Sequence, residues 1–123
     1  MSKIINIGII GCGHWGPNYV RVLNASPSAI VKVVYDLDEI RLNDLKKNYP
    51  QLKVTTNNKE FYQNNIDAVI ICTPAKTHFD LVKEAFSYKK HVLCEKPLTL
   101  RSEEALELKN LSKKKNLIIM VGN

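Results

Sequence analysis

The 123-residue sequence contains no stretch approaching the roughly 20 uninterrupted apolar residues needed to span a bilayer. Its opening, Met1-Ser2-Lys3, runs directly into Ile4-Ile5-Asn6-Ile7, without the basic, apolar and small-residue segments of a secretory leader. A membrane-embedded or secreted chain is therefore not expected. Cysteine is scarce: Cys12, Cys72 and Cys94 form no C-x-x-C pair, so neither a disulfide framework nor a zinc or other metal site is encoded. The expected setting is a reducing cytoplasm, with Cys72 and Cys94 as small buried hydrophobes. Internal repeats and low-complexity linkers are missing too.

What is present is the composition of an ordinary domain, 45% hydrophobic, 24% charged and 7% aromatic. The length suits one domain with a real core. Eighteen basic against twelve acidic residues give a net charge of +6. That balance does not point to nucleic acid. Lys46-Lys47, Lys89-Lys90 and Lys113-Lys114-Lys115 each fall at the end of an expected helix, where cations offset the negative pole of the dipole. No aromatic-interleaved basic stripe accompanies them.

Strand and helix patterns alternate along the chain. Residues 4–10 form an almost continuous apolar run, the mark of a strand covered on both faces. Residues 15–24 carry helical spacing, with Tyr19, Val22 and Leu23 as the inward set. Residues 30–35 are a second β-branched run. A helix with an acidic first turn follows from Asp38, with Leu42, Leu45 and Tyr49 on one face and Pro50 as its stop. Residues 52–55 are a short third strand and residues 59–63 one helical turn. Residues 68–73, the most apolar run, read as a central strand. Thr77 and Asp80 resemble a helix cap ahead of the stripe Leu81, Val82, Ala85 and Phe86. Residues 91–94 are the fifth strand, 103–115 the last helix, and 117–121 the sixth strand. Strands joined by helical crossovers are parallel, so the expected fold is a doubly wound α/β (Rossmann) sheet in the order 3-2-1-4-5-6.

Gly11-Cys12-Gly13-His14-Trp15-Gly16 matches G-x-G-x-x-G. Glycine triplets are common, but this one follows a buried strand, opens a helix, and is answered by Asp36 about 20 residues further on. That is the context of a dinucleotide fingerprint. Gly11 permits the turn, Gly13 lets a pyrophosphate approach bare backbone, Gly16 lets helix and strand close together, and Pro17 suits a first helical turn. Asp36 can accept both hydroxyls of an adenosine ribose and repels a 2′-phosphate, by about 1–4 kcal/mol at 4 Å. NAD is thus favoured over NADP, although Arg41 could serve a phosphate. Beyond the fourth and fifth strands stand Thr73-Pro74 with His78, and Cys94-Glu95-Lys96-Pro97. In the expected topology they open, with the glycine loop, onto one crevice at the carboxyl ends of the strands. A glycine-rich turn, a capping turn with a semi-exposed histidine, and a surface ion pair remain the plain structural readings of the same residues.

At these residues the sequence resembles the glucose–fructose oxidoreductase / inositol dehydrogenase family (Gfo/Idh/MocA), along its whole length and in that family's N-terminal NAD-binding domain. The most specific parts are Ile71-Cys72-Thr73-Pro74 through His78 and His91-Val92-Leu93-Cys94-Glu95-Lys96-Pro97. Gly13-His14-Trp15-Gly16-Pro17-Asn18 is similar to the subgroup of sugar-nucleotide 3-dehydrogenases. The resemblance implies that Gly11, Cys12, Gly13, His14, Trp15 and Gly16 hold the pyrophosphate and Asp36 the adenosine ribose. It implies that Thr73, Pro74 and His78 line the nicotinamide side and that Glu95 binds the nicotinamide ribose. Lys96 would be the catalytic residue beside the hydride-transfer centre, also touching the cofactor. A cis Lys96–Pro97 bond is implied as well. The sequence departs from the pattern at Lys89, where relatives often carry a glycine.

The implied function is hydride transfer between a secondary alcohol of a sugar or sugar nucleotide and NAD. Residues 1–123 would be the dinucleotide-binding domain, with the family's C-terminal substrate domain absent from this chain and little turnover expected from it alone. A homo-oligomer is the expected state of a two-domain parent, and apolar surface is expected near the sixth strand. The alternatives are a stand-alone NAD(H)-binding or regulatory module, which has no evident need for Glu95-Lys96, and a coenzyme A- or nucleotide-binding domain, which has none for Asp36.

Overall fold

The computed structural model describes residues 3–13 and 15–122, so His14 lies outside the described residues. Its frame is a six-stranded sheet in the order β3-β2-β1-β4-β5-β6. The strands are β1 (Ile5–Ile10), β2 (Ala29–Tyr35), β3 (Lys53–Thr55), β4 (Ala68–Ile71), β5 (His91–Glu95) and β6 (Ile119–Gly122). Every pairing is parallel, as the helical crossovers require. The helices are α1 (Gly16–Asn24), α2 (Glu39–Asn48), α3 (Asn58–Gln63), α4 (His78–Ser87) and α5 (Ser102–Lys115). None is long and apolar enough to cross a membrane.

The core has two layers, one on each face of the sheet. Phe61, Val82, Phe86 and Leu108 pack with Ile10, Val33 and Ile71 on one side. Val20, Leu42 and Leu45 pack with Ile7, Ile9, Val34 and Ile70 on the other. Neighbouring residues of β1 and β4 thus serve opposite layers, which is why their sequences are apolar without alternation.

Three local expectations change. Helix α1 turns Gly16 and Val20 to the sheet, with Tyr19 and Leu23 at the margin of that layer, while Val22 is 55% exposed. Gly16 packs against the glycine loop in this orientation, and Val22 faces outward. Strand β4 ends at Ile71; the Cys72 N–H still donates to the Ile10 carbonyl (2.8 Å), but Pro74 has no N–H with which to continue the ladder. Thr77 does not cap α4. Its hydroxyl donates to the Pro74 carbonyl (2.6 Å), and one turn of 3-10 helix, Ala75–Thr77, leads into α4 instead. Along β6 the expected exposure is seen: Met120 is 60% and Val121 47% exposed.

Candidate functional site

The carboxyl ends of β1, β2, β4 and β5 open on the same end of the sheet. β1 runs into Gly11, whose φ of +99° is the left-handed backbone that side chains avoid. A Cβ there would also lie 2.9 Å from Thr73 Cγ2. At Gly16 a Cβ would lie 2.3 Å from the Gly11 carbonyl oxygen, so only glycine lets α1 start this close to the loop. Trp15 precedes α1 without a side-chain cap, and Pro17 contributes no N–H. Among the described residues no side chain caps this first turn, whose N–H groups lie at the loop end of the helix.

Asp36 closes the loop from the side of β2. Its Oδ2 accepts the Cys12 N–H (2.8 Å) and its Oδ1 the Asp38 N–H (2.7 Å). Two backbone bonds thus hold the carboxylate still, and each oxygen keeps a further lone pair for a ligand hydroxyl. Asp38, one residue into the turn, caps α2 by accepting from Ile40 N (3.0 Å) and Arg41 N (3.3 Å). Burial, and then the Asp36 charge, push the Cys12 thiol up to about 11 from an ordinary 9.0. It is no nucleophile at neutral pH.

From β4, Thr73 and Pro74 form the opposite wall. The Thr73 and Thr77 hydroxyls share a 2.6 Å hydrogen bond. His78 departs from the expectation of a residue lining the cofactor. It is 1% exposed, its Nδ1 lies 2.7 Å from the Pro97 carbonyl oxygen, and its Nε2 lies 2.8 Å from the Thr73 carbonyl oxygen. Neither ring nitrogen is left for a ligand. The ring ties the loop after β4 to the loop after β5.

Glu95 ends β5, and its Oε1 accepts a hydrogen bond from the Tyr19 hydroxyl. Burial, followed by that carboxylate, pushes the Tyr19 hydroxyl pKa well above the ordinary range, so it remains the donor. Lys96 is exposed beside it and precedes a cis bond to Pro97. A cavity of about 780 Å³ is lined by Gly11, Gly13, Asp36, Thr73 and Pro74, with Leu37, Arg41 and Leu81 among its further walls. Glu95 and Lys96 stand outside that cavity, further along the crevice. Sequence reasoning missed Leu37 and Leu81 as walls, and took Tyr19 only as a core residue. The signal available for Tyr19 was its place three residues beyond Gly16, on the first turn of the helix.

This geometry has close counterparts. The pattern of the oxidoreductase family with an NAD-binding Rossmann fold matches residues 5–123. The chain belongs to this family. It is 33% identical over 119 residues to the myo-inositol 2-dehydrogenase of Thermotoga maritima, covering 96% of this chain and 36% of that protein. It is 30% identical over 123 residues to the uncharacterized oxidoreductase YrbE of Bacillus subtilis, covering 99% and 36%. Among solved structures, GenD2 from gentamicin A biosynthesis in complex with NAD superposes with a TM-score of 0.92 at 28% identity, covering 99% of this chain and 35% of that one. The chain therefore spans little more than a third of the length of these relatives. NAD is the cofactor of this family domain, and the residues here fit it: a glycine cradle that a Cβ would fill, an uncapped helix start, and a fixed carboxylate beside them.

Proposed function

We propose that residues 1–123 form the dinucleotide-binding domain of an enzyme that transfers a hydride between a secondary alcohol of a sugar or sugar nucleotide and NAD. The observation that carries the reading is the convergence of Gly11–Gly16, Asp36, Thr73-Pro74 and Glu95-Lys96, from four separate strands, on one end of the sheet. Relatives named as inositol dehydrogenases support the substrate class.

In this reading the open first-turn N–H groups of α1 take the pyrophosphate, and Asp36 accepts the two ribose hydroxyls. Thr73 and Pro74 border the nicotinamide side, while His78 acts indirectly by holding their loop to the Pro97 loop. Glu95 receives the nicotinamide ribose, and Lys96 extends its ammonium to the reacting hydroxyl, orienting and polarising it. Bound NAD supplies the hydride acceptor. The remaining substrate contacts belong to a further domain, a division supported by the chain's share of its relatives' length. A homo-oligomeric parent and a cytoplasmic setting complete the reading, the latter supported by three cysteines that form no disulfide.

Titration calorimetry tests the cofactor part. NAD binds the native chain, and NADP binds at least tenfold more weakly, because a carboxylate faces the 2′ position. Equal or tighter binding of NADP overturns the assignment.

A further inference from the structure

Glu95 and Tyr19 are 76 positions apart in sequence, yet their side chains meet over the half-buried margin of the α1 layer. Tyr19 is anchored through its backbone, whose N–H donates to the Trp15 carbonyl (3.2 Å). Glu95 has no such anchor at its tip. A glutamate side chain has three rotatable bonds, and a carboxylate at a strand end samples several directions unless a partner selects one. Tyr19 supplies that partner at Oε1, and Oε2 has no hydrogen bond among the described residues. Strand β6 borders the pair. Gly122, in register with Glu95, has no side chain, and a Cβ there would lie 3.4 Å from the Tyr19 hydroxyl oxygen and 3.6 Å from Glu95 Oε1.

We propose that Tyr19 is a positioning residue that aims the Glu95 carboxylate at the nicotinamide ribose. Helix α1 then serves both halves of the cofactor: its start receives the pyrophosphate, and its first turn braces the group that meets the second ribose. The inference rests on the reading of Glu95 given under Proposed function. It assigns Tyr19 no contact with the cofactor and no part in proton transfer.

The test separates the two halves of the ligand. ADP carries the adenosine and the pyrophosphate but lacks the second ribose. In Tyr19→Phe, the NAD dissociation constant rises about three- to tenfold, the range of one lost hydrogen bond, and that of ADP changes less than twofold. Glu95→Ala weakens NAD but not ADP in the same way, and adding Tyr19→Phe to it causes no further loss. Unchanged NAD binding in Tyr19→Phe overturns the proposal, as do equal losses for NAD and ADP or additive losses in the double variant. If Glu95→Ala leaves NAD binding intact while the native chain binds NAD, the reading of Glu95 fails and this inference falls with it. If the native chain binds ADP but not NAD, the proposed function itself is refuted.

Discussion

Gly13 and Gly16 stand three residues apart and answer to different constraints. A Cβ on Gly16 would collide with backbone, the Gly11 carbonyl oxygen at 2.3 Å, which cannot yield without moving α1. A Cβ on Gly13 would meet only the end of the flexible Arg41 side chain, at 3.3 Å, and the residue does not need a positive φ. The fold thus asks little of Gly13, and the proposed pyrophosphate contact would account for a glycine there, whereas Gly16 answers to the fold. Gly16→Ala is expected to lower stability by about 1–3 kcal/mol in urea unfolding. Gly13→Ala is expected to leave the unfolding midpoint nearly unchanged while weakening NAD at least tenfold by calorimetry. A Gly13→Ala variant that binds NAD normally would remove this residue from the pyrophosphate site.

Helix ends carry the next level of organisation, because each brings one group to the crevice or away from it. Asp38 and Asn57 cap α2 and α3 with side-chain bonds, whereas α1, α4 and α5 start without one, and of these only α1 follows the glycine loop. Behind α4 the chain turns through Lys89, which takes a φ of 62°. The Lys89 N–H reaches the Phe86 carbonyl (2.9 Å) and the Lys90 N–H the Ala85 carbonyl (3.0 Å), closing the helix in the manner that favours glycine. This explains the departure noted at that position: the geometry a glycine would adopt is retained with a lysine in it. Lys89→Gly is expected to stabilise the protein by about 1 kcal/mol, read as a higher melting temperature, with NAD affinity unchanged. A lower melting temperature would count against strain at this turn.

Across the whole molecule, the two apolar layers hold thiols away from water. Burial, aided by Glu95, pushes Cys72 and Cys94 up to about 12, as burial and Asp36 push Cys12 up to about 11. The folded state keeps these protons after the unfolded chain has begun to release its own, near 9.0. Stability is therefore full below about pH 9 and declines as pH rises toward 11–12, with each thiol contributing up to about 1.4 kcal/mol per pH unit. Urea unfolding between pH 8 and 10 is expected to show this decline, and a variant with Cys72→Ala and Cys94→Ala a shallower one. A flat profile in the native chain would mean that these thiols are more hydrated than their packing implies.

The sequence alone determined the strand order, the glycine loop with Asp36, and the two short segments after β4 and β5. Each rests on local rules: apolar runs mark strands covered on both faces, and glycine spacing marks a turn that only glycine can make. The position of Asp36 follows from strand length, so it too is legible within one β-α-β unit. The rotation of α1 was not, because its spacing allowed Val22 inward as readily as Val20, and the tertiary packing that seats Gly16 against the glycine loop turns Val20 to the sheet. The same rotation brings Tyr19 to Glu95. The burial of His78 likewise depends on the Thr73 and Pro97 carbonyls arriving on opposite sides of one ring from different loops. A side chain's partner across dozens of residues is decided by how the layers settle on the sheet, and periodicity carries no information about that contact.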